Sequence, residues 1–391
     1  MKICDVVIIG AGAAGMMCAI EAGKRKRKVV LVDHSHKIGR KILISGGGRC
    51  NFTNINTCPE SFVSKNPHFC KSALARYTPH DFIELVKGHG IKFHEKKLGQ
   101  LFCDNSAHEI VDLLVGECHK LGISFQLGCQ TEAIEKNDNF TIKTNKENFA
   151  CESLVIGTGG LSIPQVGASS YGYEIAKQFN LSIIEPSPAL DGFNLKATEL
   201  NYFKNLAGVS VDTVVTCNNV AFRENILFTH NGLSGPASLQ ASLYWEKSMP
   251  ITINLLPDID PSMFLSQMRR DKPRTEVKNI LCEVLPKRFA EEFCQYYSFN
   301  GNLSEMSEKG LGQIAQTLKA WQIFPESTVG YKKAEVTKGG VDTAELSSRS
   351  MEVKKINGLY FVGEVVDVTG QLGGYNFQWA WSSGFAAGQY V

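Results

Sequence analysis

Apolar residues in the first part of this chain fall in short unbroken runs rather than in alternation. Asp5-Val-Val-Ile-Ile-Gly10 and Lys28-Val-Val-Leu-Val-Asp33 are β-branched runs bounded by polar residues or glycine. Such runs fit strands buried on both faces, as in a parallel sheet covered by helices. Ala14–Ala22 between them reads as a helix, and the same strand style returns at Leu154-Val-Ile-Gly-Thr-Gly-Gly160 and Tyr360-Phe-Val-Gly363. Amphipathic spacing predicts helices over Pro79–Gly90 and Ala107–Gly122, and Gln130–Thr144 reads as a hairpin turning at Asn137-Asp-Asn139. Ile38–Asn51 holds three consecutive glycines and is predicted to be a loop that lets backbone approach a ligand.

The texture changes after about Leu190. Alternating runs such as Val209–Thr216 and Ile251–Asn254 predict a β-rich insertion, and helical, charged spacing from Pro261 to Trp321 predicts a small cap. A closing helix is expected over Asn376–Gly388. The expected architecture is therefore α/β, with a discontinuous Rossmann-like domain over 1–190 and 325–391. A β-rich, barrel-like domain covers 191–258 with part of 320–340, and a helical subdomain covers 259–322.

The first strand runs straight into Gly10-x-Gly12-x-x-Gly15 and a helix. Gly12 lets backbone reach a pyrophosphate, Gly15 lets helix and strand pack closely, and the helix N-terminus faces the anion. A glycine triplet alone would be an ordinary turn. Here a second strand follows and ends in Asp33, about twenty residues on, where a ribose diol needs an acceptor. The other match to this pattern, Gly310-Leu-Gly312-Gln-Ile-Ala315, follows a polar stretch instead of a strand and is assigned to the helical cap. The chain thus lacks a second dinucleotide cradle, and a nicotinamide, if used, would bind transiently over another cofactor.

Composition narrows the partners. The 391 residues carry a formal net charge of +2, which gives no field strong enough to argue for nucleic acid or a membrane surface, though a local basic patch can hide in a neutral total. The basic run Lys24–Lys28 ends the first helix and reads as a solvated helix end. Asp5 interrupts the apolar N-terminus, and the stretch from Val6 to Ile20 is too short to span a bilayer, so a cytoplasmic location is expected. The twelve cysteines are dispersed with no C-x-x-C, which argues against a zinc site and a redox dithiol and fits reduced, buried thiols.

Three separated motifs, the N-terminal cradle with Asp33, the Gly157–Gly160 turn and Gly-Leu-Tyr-Phe-Val-Gly363-Glu364, resemble the glutathione-reductase-type FAD fold. Three longer blocks resemble the YhiN/BaiN-type flavoproteins, the family that also holds aminoacetone oxidase: Gly39–Asn51, Leu227–Pro236 and Gly363–Trp381. The resemblance covers essentially the whole chain and implies FAD and an oxidoreductase. Carried onto this sequence, it implies cofactor contacts at Gly10, Gly12, Ala13, Ala14, Gly15, Asp33 and His34. Further contacts are implied at Lys41, Ser45, Gly46, Gly47, Gly48, Cys50 and Asn51, and at Thr131, Thr158, Gly159 and Gly160. The C-terminal set is Gly363, Glu364, Asp367, Gly374, Asn376 and Phe377. Glu364 replaces the Asp of the broader fold and reaches a ribityl hydroxyl with one more methylene. The N-terminus of the closing helix is expected to face the flavin pyrimidine edge and stabilise charge as the ring is reduced.

Catalytic groups are less legible. His230 is a possible acid or base but fits a structural hydrogen bond as well. Tyr375 is a candidate wall of the flavin or substrate site, Trp381 reads as core, and Lys338 is either a flavin-proximal cation or a solvated lysine. Cys50 has no resolving partner nearby and reads as a packed neutral thiol. A small-molecule substrate is expected, and the residues do not set the oligomeric state. Two reactions compete: oxygen-coupled oxidation of an amine, and NAD(P)H-driven reduction of an activated double bond. A third reading, from a different class, is a flavin-binding sensor or interaction protein without fast turnover.

Overall fold

A computed structural model describes all residues 1–391. The chain forms two compact units, Met1–Pro188 with Val336–Val391, and Ala189–Glu335. In the first unit the elements that position the site are, in chain order, β1 (Val6–Ile9), α1 (Ala13–Lys24), β2 (Val29–Asp33), α2 (Arg40–Ile44), β3 (Asn51–Asn54), β4 (Phe93–Glu95) and β5 (Gln100–Cys103). They continue with α3 (His108–Lys120), β6 (Ser124–Leu127), β7 (Ser153–Ile156), β8 (Val336–Val341), β9 (Leu359–Phe361) and α4 (Tyr375–Gly388).

The unbroken β-branched runs make a five-stranded, all-parallel sheet in the order β9-β7-β1-β2-β6. Every residue of β1, β7 and β9 is buried, as strands covered on both faces must be. Glycines set how closely the helices approach. A Cβ on Gly384 of α4 would lie 2.4 Å from the Ala14 carbonyl oxygen of α1, and one on Gly388 would lie 2.5 Å from Glu21 Cβ. The two helices therefore pack backbone to backbone. Side chains then tie α4 to an antiparallel sheet of order β3-β5-β4: the Trp381 indole donates to the Phe52 carbonyl at 2.8 Å, and the Thr53 hydroxyl donates to Gln378 Oε1 at 2.6 Å.

Two local expectations change. Ile38–Asn51 is not wholly irregular, because Arg-Lys-Ile-Leu-Ile forms the single-turn helix α2, which ends where Gly46 and Gly47 turn left-handed. The basic run after α1 is partnered as well as solvated: Arg25 donates to the Gly388 and Val391 carbonyls, Lys24 pairs with Glu21 and Arg27 with Glu152.

In the second unit a seven-stranded sheet is built around the hairpin Ser210–Cys217 and Val220–Phe228. The helices Pro261–Asp271, Val277–Leu281, Lys287–Tyr297 and Glu308–Lys319 share its hydrophobic core. Trp321 joins them, its ring centroid 5.7 Å from Phe289 and 5.6 Å from Phe293. The predicted β-rich and helical insertions thus have one core. Gly310–Ala315 lies inside Glu308–Lys319, so it is helix and no phosphate turn. No helix is long and apolar enough to cross a membrane.

Candidate functional site

The glycine triplet divides its work as its spacing implies. A Cβ on Gly15 would fall 2.0 Å from the Gly10 carbonyl oxygen, so this glycine closes α1 onto β1, while a Cβ on Gly12 would meet nothing within 4 Å. The turn before α1 therefore presents bare backbone to open space, beside first-turn N–H groups that no side chain caps. Gly10 packs against the second glycine turn, where its Cβ would lie 2.3 Å from the Gly157 carbonyl oxygen. Ala13 is half-buried and Ala14 buried at the start of α1, and Thr158 packs its hydroxyl against Gly172.

Asp33 closes the same turn. Its Oδ2 accepts from the Ala11 N–H at 2.7 Å and its Oδ1 from the Ser35 N–H at 2.7 Å. The carboxylate is a brace for the cradle before it is a ligand; each oxygen keeps one lone pair for a ribose hydroxyl. His34 is exposed, with Nδ1 3.6 Å from Asp33 Oδ1. Thr131 opens the strand Thr131–Lys136, half-buried.

The second cluster joins segments remote in sequence. Lys41 on α2 donates to both oxygens of Glu364, at 2.9 and 2.6 Å. Glu364 Oε1 also accepts the Thr337 N–H at 2.9 Å, and the Thr337 hydroxyl accepts the N–H groups of Leu161 and Ser162 at 2.8 and 3.1 Å. Gly160 belongs to this knot, since its Cβ would sit 2.5 Å from Thr337 Oγ1, and Gly159 adjoins it, its Cβ 3.9 Å from Glu364 Oε2. Gly363 is locked from both sides: its N–H donates to Ser383 and its carbonyl accepts the Trp379 indole N–H. Thr337 is the residue that sequence reasoning missed, because the partners of its hydroxyl are 176 and 175 positions away and no local pattern announces them.

The third cluster surrounds Gly46–Gly48. A Cβ on Gly46 would lie 2.9 Å from the Phe102 ring, so this glycine packs close to it, while Cβ atoms on Gly47 and Gly48 would meet nothing within 4 Å. Asn51, with its amide oriented to satisfy its neighbours, donates to the Thr53 and Leu101 carbonyls and accepts from the Gly374 N–H, each at 3.2 Å. It thereby ties the glycine loop to the start of α4. The first turn of α4 has no side-chain cap and begins at Gly374, leaving a partial positive charge there.

Several expected contacts are occupied elsewhere. The Ser45 hydroxyl donates to the Ile42 carbonyl at 2.7 Å, and Asn376 braces Gly370 through both ends of its amide, at 2.9 and 2.8 Å. Cys50 is fully buried, and burial pushes its thiol well up, so only its backbone can serve a ligand. Asp367 is also buried, accepting from the Lys65 N–H at 2.8 Å and more distantly from the Ser64 hydroxyl. Phe377 is half-buried and stacks on Trp381. Tyr375 is buried edge-on against Phe62, which makes it a core residue. Lys338 lies half-buried within β8, so it is no loop lysine. His230 is exposed in the turn of the second unit that follows Val220–Phe228.

Bare backbone at Gly12, Gly47 and Gly48, uncapped N–H groups on α1 and α4, and the Lys41–Glu364 pair form a donor set suited to a long anionic ligand with a polyol arm. FAD has that chemistry, and the residues fit it.

Residues 4–390 match the model of the HI0933-like protein Rossmann domain family. The chain is 52% identical over 388 residues to the ribosomal RNA dihydrouridine synthase of Escherichia coli strain K12, covering 98% of this chain and 97% of that one. It is 44% identical to the protein of the same name in Haemophilus influenzae, covering 97% and 96%. It is 27% identical over 402 residues to a 3-dehydro-bile acid delta(4,6)-reductase of Clostridium scindens, covering 98% and 97%. With its parallel sheet, its glycine cradle and this full-length match, the chain belongs to the HI0933-like Rossmann-domain family of FAD-dependent oxidoreductases.

Proposed function

We propose that this protein reduces an activated carbon–carbon double bond, and that the bond is C5=C6 of uracil in ribosomal RNA. The observation that carries the reading is the 52% identity, over nearly the full length of both chains, to an enzyme named for making dihydrouridine in ribosomal RNA. The bile-acid relative is named as a reductase of another such bond. In both substrates the alkene is conjugated to a carbonyl, so hydride adds at one carbon and a proton at the next. The balanced reaction takes NAD(P)H, a proton and uridine to NAD(P)+ and dihydrouridine. FAD, when bound, supplies the two-electron relay between nicotinamide and alkene.

The chain's own residues hold and tune that relay. The open backbone at Gly12 and the first turn of α1 take the diphosphate, and Lys41 and Glu364 anchor the polyol. The first turn of α4 lends positive potential where charge accumulates on reduction. The expectation from net charge was that no nucleic acid binds; this reading requires a local basic surface instead.

The test is anaerobic incubation of the FAD-loaded protein with NADPH and protein-free ribosomal RNA from a strain lacking the gene, followed by nucleoside digestion and mass spectrometry. The reading expects the two-hydrogen mass gain of dihydrouridine. Unmodified uridine, together with a flavin that turns over with an amine and oxygen, would overturn it in favour of the amine-oxidising alternative.

A further inference from the structure

The β4–β5 hairpin carries a concentration of exposed cations beside the glycine loop. Lys92, Lys96 and Lys97 are all exposed on Lys92-Phe-His-Glu-Lys-Lys97, as is Arg49 at the end of the glycine loop. The nearby acids are engaged locally: Glu95 accepts from the Gly99 N–H in the turn, Asp104 pairs with His94 at 2.7 Å, and Glu109 accepts from the Ser106 N–H. Over Lys92–Lys97 three lysines face the single carboxylate of Glu95, so the hairpin tip is net positive with His94 neutral. That tip also shows apolar surface, with Leu98 59% exposed and neighbouring Ile55 39% exposed.

The tip is fixed to the candidate flavin site by direct contacts. Lys96 lies over the Phe102 ring, its ammonium 5.6 Å from the centroid, and His94 stacks on the same ring. Gly46 packs on that ring, so glycine loop and basic hairpin share one side chain. Arg49 continues the link, its carbonyl accepting the Cys103 N–H of β5 at 2.9 Å. Asn54 provides a second link, its amide donating to the Leu98 carbonyl at 3.1 Å and to the Gly373 carbonyl, just before α4, at 2.8 Å.

Resting on the dihydrouridine reading, we propose that this hairpin is the docking element for the RNA substrate, with Lys92, Lys96 and Lys97 on the phosphate backbone and Leu98 against an unstacked base. A reductase of a base in folded RNA must hold the backbone while one nucleotide is presented. A cationic element rigidly tied to the flavin site does that without a strongly basic chain. The elements that carry the contacts, β4 and β5, keep the cations at a fixed offset from the glycine loop.

The test compares the FAD-loaded wild type with Lys96→Ala/Lys97→Ala and with Lys92→Glu/Lys96→Glu/Lys97→Glu, using protein-free ribosomal RNA in filter binding from low to moderate salt. FAD occupancy and melting temperature report whether each variant is folded. The double variant retains the hairpin backbone and serves if charge reversal unfolds the loop. Each lost phosphate contact should flatten the salt dependence by roughly 0.7–0.9 in log–log slope, and the triple variant should bind at least about tenfold more weakly near 0.1 M salt. If folded variants bind with wild-type affinity and slope while the wild type makes dihydrouridine, the docking assignment is wrong and the dihydrouridine reading stands. If the wild type neither binds nor modifies the RNA, the reading falls and takes this inference with it.

Discussion

Lys41 and Glu364 lie 323 positions apart and meet in a two-point ion pair, with contacts of 2.9 and 2.6 Å. The pair joins the connection between β2 and β6 to the turn that follows β9, and the Thr337 N–H adds a third contact to the same carboxylate. Glu364 is the more buried partner, at 17% side-chain exposure against 33% for Lys41. Removing the cation would leave a poorly solvated carboxylate facing the Thr337 N–H.

With Lys41 anchoring the polyol, Lys41→Met is expected to weaken FAD binding by about tenfold or more, since a hydrogen bond from a charged donor contributes about 1.5–3 kcal/mol. Titration of the apoprotein with FAD, followed by flavin fluorescence, checks it. Unchanged affinity would remove the pair from the cofactor site.

Two glycines in one turn should fail differently. Gly12→Val extends into open space, so the protein should fold with the melting temperature of the wild-type apoprotein while losing FAD. Gly15→Ala places its Cβ 2.0 Å from the Gly10 carbonyl oxygen, so α1 must move off β1, and the fold itself should lose stability by about 1–3 kcal/mol. Calorimetry with flavin absorbance separates the two. Normal flavin content in Gly12→Val would misplace the cradle.

The cysteines predict a thiol count. Ten of the twelve are buried, Cys58 is exposed and Cys282 is intermediate. Burial pushes the Cys103, Cys118 and Cys151 thiols up to about 12, so they stay protonated and unreactive at neutral pH. A thiol-specific chromophore should titrate one group quickly and a second slowly in the native protein, and all twelve after denaturation. Many fast thiols would contradict the packing.

The carboxyls around Lys65 should give opposite pH responses. Burial raises Asp342, but the Ala344 N–H and the Lys65 ammonium outweigh it and hold that carboxyl below its ordinary value. Its contribution is present above the unfolded carboxylate range, about pH 4, and is lost as pH falls through the folded value. Burial pushes Asp367 up despite the Lys65 N–H and Ser64 hydroxyl; its contribution is present at low pH and is lost as pH rises through the folded value. Relative to wild type, Asp342→Asn should be more destabilised at neutral pH than in acid. Asp367→Asn should gain on wild type as pH rises. Parallel stability curves for both variants would refute the assignment.

Local pattern revealed the sheet and cradle because each was written in consecutive residues. β1, β2, β7 and β9 are unbroken apolar runs, and Gly10, Gly12 and Gly15 act within one turn. The Lys41–Glu364–Thr337 knot was only partly visible: its ends stood in recognisable blocks, but the hydrogen bonds that join them depend on how the crossovers return to one place. The side chains of Asn376, Ser45 and Tyr375 turn inward for a related reason. A polar or aromatic residue beside a glycine motif serves the loop's own unpaired groups or the core as readily as a ligand. Only packing tells these apart.

The central claim is that the flavin passes electrons from a nicotinamide to a uracil ring. Its most direct test is an anaerobic absorption measurement on the FAD-loaded protein, first with NADPH and then with protein-free ribosomal RNA from the deletion strain. The account predicts that NADPH bleaches the flavin band and that the RNA restores it, with dihydrouridine formed in step with flavin reoxidised. A band that NADPH leaves oxidised, or that only oxygen restores, would contradict it.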